Sequence, residues 1–182
     1  MDGMWAHDLA NVIQVFGNGV PLRGQAPCDL SFASAGRSAS LDHGLSAATT
    51  PLVECDTIPD LVCVPGFVDP CRAIQSDETD ETITWLREAA HHGAQIASLG
   101  TGAFVLGAAG LLDGVRCTTH HAFWDQFRLC IPPRCWTRTP SSHMTKPAAS
   151  GPPLAGRLAW TCASRLSRIF LGPWLRHRLP RQ

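Results

Sequence analysis

No acidic residue follows Asp125 in this 182-residue chain, and only one lysine, Lys146, occurs anywhere. All fifteen acids lie in residues 1–125 beside five arginines, a balance of −10; residues 126–182 hold nine arginines and Lys146, a balance of +10. A segment of that length would ordinarily carry roughly six or seven acids. The formal neutrality of the whole thus hides two regions of opposite sign. No CxxC pair occurs among the eight cysteines, at 28, 55, 63, 71, 117, 130, 135 and 162, and their spacing follows no regular zinc or disulfide framework. Small buried thiols in a reducing compartment are the expected state. No basic stretch leading into an apolar run opens the chain, so no signal peptide is expected. The longest apolar run, around Ala103 to Leu112, is far too short to cross a bilayer. A cytoplasmic location and no membrane partner are the resulting expectations.

What the chain does contain is a succession of apolar runs divided by turns. "HDLANVIQVFGNG" (7–19) sets Leu9, Val12, Ile13 and Phe16 at helical spacing, with glycines where a helix should stop. "CDLSFASA" (28–35) reads as a strand, and 36–58 as a loop or irregular strands. "PDLVCVPGF" (59–67) holds the unbroken run Leu61–Val64, the pattern of a strand covered on both faces, ended by the turn Pro65-Gly66. "SDETDETITWLREAAHHG" (76–93) begins with acids and finishes with His91, His92 and Gly93, an order that suits a helix dipole and a glycine stop. "AQIASL" (94–99) is another strand. It leads into an apolar helix over 101–112, where Gly102 and Gly107 let neighbouring backbone come close. "VRCTTH" (115–120) reads as a further strand and "AFWDQF" (122–127) as the start of a helix. Strands alternating with helices in this way predict an α/β fold, a doubly wound parallel sheet with helices on both faces. It occupies 1–130 as one domain, and 131–182 is a basic, acid-free tail. In the tail, 132–153 has no periodicity, while 154–172 reads as an apolar helix with Arg157, Arg165 and Arg168 on one face.

In a sheet of this kind ligands gather at the carboxyl ends of the strands. Three such ends are visible: Pro65-Gly66-Phe67, Leu99-Gly100-Thr101 and Thr119-His120-His121. The second is a sharp strand-to-helix turn, where a nucleophile would sit on strained backbone beside a helix N-terminus. Gly100 has no side chain to offer. The stretches "LVCVPGF", "HDLANVIQVF" and "WLREAAHHGAQIASLGTGAFVLGAAGLLDGVRCTTHHAFWDQF" resemble the ThiJ/PfpI superfamily, with its flavodoxin-like, class I glutamine amidotransferase-like fold. Within it they are most similar to the amino-terminal half of AraC-type transcription regulators, and isocyanide hydratase-like enzymes share much of the pattern. The resemblance spans roughly residues 5–130. It implies that the family's elbow cysteine falls on Gly100, its acidic partner on Asp8 and its histidine on His120, with oxyanion-pocket amides near Gly66, Phe67 and Thr101. Phe67 replaces the second glycine that usually follows "VPG". The resemblance also implies an apolar strand ahead of the Asp8 helix, and with seven residues before Asp8 this first strand is expected to be missing. The family pattern fades after Phe127, where a shifted reading frame in a GC-rich gene would account for the Arg-, Pro- and Ser-rich tail.

Covalent catalysis needs a thiol or hydroxyl with a base in reach, which Gly100 does not supply, and Thr101 is expected to cap the helix start. A chemically silent elbow is the expectation, in a ligand pocket lined by Asp8, Gly66, Phe67, Gly100, Thr101 and His120. An acid–base pair of Asp8 and His120 is the alternative. Neither adjacent pair of histidines points to a metal: neighbours on a strand, as at His120 and His121, face opposite ways, and His91 and His92 are better explained as helix-end residues; neither metal nor cofactor is expected. The resemblance implies a non-catalytic ligand-sensing domain, with a small-molecule effector and a homodimer as candidate partners. DNA would be contacted through a separate domain, since no helix-turn-helix pattern is visible here. The competing expectation is a hydratase, hydrolase or amidase acting on a small molecule. For the basic tail, unselected sequence ranks first, phosphate contact with DNA second and a membrane-surface helix last.

Overall fold

The computed structural model describes residues 3–17 and 29–131, together with the backbone of two short strands at 137–138 and 159–161. Near its start Met4 forms single bridges to Leu41 and Phe67. Helix α1 (Ala6–Val12) follows and runs on through a wider π turn to Gly17, so the helix predicted for 7–19 is present. Four short strands come next: β1 (Ala33–Ser34), β2 (Ser38–Ser40), β3 (Ser46–Ala48) and β4 (Thr50–Pro51). β1 pairs in parallel with β4, and β2 with β3 as an antiparallel hairpin. The strand predicted for 28–35 shrinks to two residues, in a region of serine and alanine with little apolar surface to bury.

The stronger runs fold as their patterns require. β5 (Leu61–Val64) pairs in parallel with β6 (Gln95–Leu99), in the register Val62 to Ile96 and Val64 to Ser98. Between them lie α2 (Pro70–Ala73), whose first turn is capped by the Asp69 carboxylate on the Arg72 N–H, and α3 (Asp77–His91). Gly93, at φ 96°, ends α3 in the left-handed conformation open to glycine. After β6 a tight turn over Gly100–Gly102 feeds α4 (Ala103–Ala108), followed by β7 (Arg116–Cys117) and α5 (Trp124–Cys130). Beyond α5, β8 (Thr137–Arg138) lies parallel to β7, and β9 (Ala159–Thr161) parallel to β6 on the edge away from β5. The sequence predicts helix over 154–172, yet 159–161 is strand. The free edge of β6 carries amides and carbonyls that need partners, and a strand supplies them where a helix could not. Lys146, Arg157, Arg165 and Arg168 lie outside the described residues.

β6 is covered on both faces, which is the physical content of a doubly wound sheet. On one face Ala97 and Leu99 pack against Val12 of α1. On the other, Ile96 joins the main core with Leu86 of α3, Phe104 and Leu106 of α4 and Phe127 of α5. Phe67, Phe104 and Phe127 are almost completely buried, each worth about 2–3 kcal/mol in apolar transfer. Gly107 gives room to the Ile131 side chain rather than to backbone.

The cysteines require a correction. Cys71 and Cys130 form a disulfide, with their Cα atoms 6.2 Å apart. They are 59 residues apart in sequence, and only the packing of α2 on α5 brings them together, which linear spacing does not encode. Cys117 fits the expectation of an inert thiol: burial pushes its pKa up to about 11. Cys28, Cys135 and Cys162 lie outside the described residues. Among the described residues no helix is long and apolar enough to cross a membrane.

Candidate functional site

The segments that follow β5, β6 and β7 are tied together by hydrogen bonds, where strand ends of such folds gather ligands, and α1 joins them through Asp8. Asp8 is buried on α1, and its Oδ2 accepts the Gly66 N–H at 2.8 Å. Gly66 is hemmed in: a Cβ there would lie 2.9 Å from Asp8 Oδ2, 3.0 Å from Thr101 Oγ1 and 3.1 Å from Trp5 Cδ1. Asp8, Gly66, Phe67 and Thr101 are thus brought together. Burial raises the Asp8 pKa above 3.8, against the lowering effects of the Gly66 N–H, His7 and His120.

Thr101 does not cap its helix. Its hydroxyl accepts the Phe67 N–H at 2.7 Å and donates to the Phe67 carbonyl at 2.8 Å. Both backbone groups of buried Phe67 need a partner, and a single hydroxyl satisfies both. The Gly66 and Phe67 amides, assigned by resemblance to an oxyanion pocket, are therefore spent inside the protein.

Gly100 stands at the elbow with φ 47°, in the left-handed region, and a Cβ built on it would meet nothing within 4 Å. Its carbonyl accepts a hydrogen bond from Thr119 Oγ1 at 3.2 Å, which ties the elbow to the segment after β7. His120 follows. Its Nδ1 accepts the Ala122 N–H at 3.3 Å, so the neutral ring carries its proton on Nε2. Desolvation first and then His121 lower its pKa, while Asp8 raises it. The strand ends at Cys117, so His120 and His121 do not point to opposite faces: their rings lie 4.4 Å apart on a tight helical turn. Among the described residues no group of three or more His, Cys, Asp or Glu stands together in a way that could hold a metal.

Several contributors were not apparent from sequence reasoning. The backbone N–H of Trp5 donates to the Gly66 carbonyl at 2.9 Å. His7 Nε2 lies 3.4 Å from Asp8 Oδ1. Asp42, in the β2–β3 hairpin loop, accepts the Ala6 N–H at 3.0 Å and so caps α1 from a distance. His7 and Thr119 adjoin recognised site residues and were within reach of inspection. Asp42 left no local signal.

These strand ends, the left-handed elbow and the carboxylate held on the Gly66 amide define an α/β domain of flavodoxin-like architecture. The DJ-1/PfpI family model matches residues 25–130, and the chain belongs to that family. An isonitrile hydratase of Pseudomonas putida is 40% identical over 79 residues, which cover 42% of this chain and 32% of that protein. The HTH-type transcriptional regulator CdhR of Pseudomonas aeruginosa is 37% identical over 90 residues, covering 50% of this chain and 26% of the regulator. The chain therefore matches about a third or less of the length of these curated relatives. Among solved structures, an AraC family transcriptional regulator from Pseudomonas putida superposes with a TM-score of 0.63 at 23% identity, over 80% of this chain and 75% of the other. At that identity the likeness establishes the fold.

Proposed function

We propose that this chain is a non-catalytic small-molecule-sensing domain, akin to the ligand-binding part of AraC-type regulators. The observation that carries the reading is the elbow. Gly100 keeps the left-handed backbone but presents open space where a nucleophile would stand. That space suits an atom of a bound ligand, and Asp8 on α1 and His120 after β7 are titratable groups biased toward their neutral forms. With the Gly66 and Phe67 amides engaged internally, stabilisation of a developing oxyanion loses two of its donors. The effector would be a small polar molecule, and its binding would act through the geometry of a homodimer on a DNA-binding domain separate from residues 1–130.

A second reading, a hydratase, hydrolase or amidase, is favoured by one observation: Asp8 and His120 lie close enough for each to bias the other's protonation. The test is a thermal-shift screen of small carboxylates, amides, nitriles and isonitriles, with turnover assayed in parallel. A sensor shows a ligand-dependent rise in Tm and no turnover. Turnover by the wild type, lost in Asp8→Asn and His120→Ala, would overturn the sensing reading. Thiol reactivity in Gly100→Cys at neutral pH reports independently on residue 100 as the elbow.

A further inference from the structure

Cys71 and Cys130 sit on the two helices that lead away from the site. α2 begins at Pro70, directly after the loop that carries Gly66 and Phe67; α5 begins at Trp124, directly after the turn that carries His120. The disulfide joins these loop–helix units beyond the site. The helices are only four and seven residues long, too short to hold their form without tertiary support. Both cysteines are half-buried against the core rather than sealed within it. Cys130 also lines a cavity of about 190 Å³, shared with Ile74, Arg87, Gly107, Asp113 and Ile131. Arg87 is fixed in that wall by donating Nε–H to the Ala109 carbonyl at 2.9 Å. With Asp113 it gives that wall one charge of each sign.

We propose that the Cys71–Cys130 pair is a reducible clasp, a thiol-exchange site through which a small dithiol resets the geometry of the pocket. A thiolate of the dithiol attacks Cys130 Sγ, the bond to Cys71 breaks, and Cys71 departs as a thiolate that takes a proton from water. The second thiol of the dithiol then displaces Cys130 from the mixed disulfide and closes the reagent's own disulfide. The protein gains two electrons and two protons, and the dithiol is oxidised. A low-molecular-weight disulfide drives the reverse. Any effect on ligand binding rests on the sensing reading above, whereas the clasp and its reach to both loops do not.

The experiment compares the full chain before and after dithiothreitol, with alkylation mapped by peptide mass and amide hydrogen exchange read by segment. Cys71 and Cys130 should alkylate only after reduction. Exchange in 65–74 and 119–131 should then quicken about tenfold or more, while β5 and β6 keep their protection. The double variant Cys71→Ser/Cys130→Ser should exchange like the reduced protein with or without dithiothreitol. Full alkylation of both cysteines before reduction would remove the clasp. Unchanged exchange in the two segments after reduction would remove the coupling, and a rise that also spreads through β5 and β6 would make the bond a global staple instead. None of these readouts uses a ligand, so they stand apart from the fate of the sensing reading.

Discussion

Gly100 and Gly102 lie two residues apart in one turn and are glycine for opposite reasons. At Gly100 the backbone is left-handed and the space beyond is open. At Gly102 the backbone is ordinary, with φ −57° and ψ −18°, but a Cβ would sit 2.6 Å from both the Val64 and Pro65 carbonyl oxygens. The first glycine relieves a conformational demand and leaves a vacancy. The second lets the end of β5 press directly on the turn. The elbow thus has a close-packed floor, set by backbone contact and by the two hydrogen bonds of Thr101, and open space beside Gly100.

The contrast can be broken most severely at the floor. Gly102→Ala forces the Val64 and Pro65 carbonyls to move and should cost about 3 kcal/mol or more, read as a lower urea midpoint; a loss under about 1 kcal/mol would contradict the close approach. Thr101→Val leaves the Phe67 N–H and carbonyl buried without their hydroxyl, and a loss of about 2 kcal/mol is expected. Thr101→Ser, which keeps the hydroxyl, should recover most of it. On the open side, Gly100→Ala meets no neighbour and bears only left-handed strain, about 1 kcal/mol. Equal losses for the alanines at 100 and 102 would erase the distinction. Smallest is Ser98→Ala: this buried hydroxyl has no hydrogen-bond partner among the described residues, so its removal should leave stability unchanged or slightly raised.

Protonation sharpens the same comparison. Asp8 has a raised pKa, so the folded state holds its proton more tightly than the unfolded chain. Its contribution favours folding at low pH and is lost as pH rises from about 3.8 through the raised value. His120 has a lowered pKa, so its contribution is lost as pH falls below 6.5 toward the lowered value. Urea midpoints measured across pH should lose the acid-side slope in Asp8→Asn and the near-neutral slope in His120→Gln. If the slopes survive these changes, the groups responsible lie elsewhere.

The parts of the fold legible in the sequence are those where one local rule sufficed. The unbroken run Leu61–Val64 and the strand before Gly100 needed only hydrophobic pattern, and α3 needed its acidic start and its Gly93 stop. Asp8, Gly66, Thr101 and the Gly100 elbow could be placed in one neighbourhood by resemblance. Their hydrogen bonds could not, because Thr101 chooses Phe67 over its own helix only when β5 and β6 lie side by side. The Cys71–Cys130 bond and the reach of Asp42 to α1 have the same cause: distant segments made adjacent by packing. The strand at 159–161 answers to an unpaired sheet edge, not to its own apolar, helix-like spacing.

The cap that Asp42 places on Ala6 spans 36 residues, the grip of Asp8 on Gly66 spans 58, and that of Thr101 on Phe67 spans 34. Closing a loop of this size costs entropy that a single hydrogen bond, worth about 1–3 kcal/mol, hardly meets, whereas the β5–β6 ladder, closed over the same span in the register Val62 to Ile96, meets it with buried apolar surface on both faces. The hydrophobic faces of β6 can therefore collapse while the carboxylate of Asp8 is still untethered. Folding should show the body appearing first and the Asp8–Gly66 and Thr101–Phe67 contacts afterwards, and under mild denaturant those contacts should be the first to come apart.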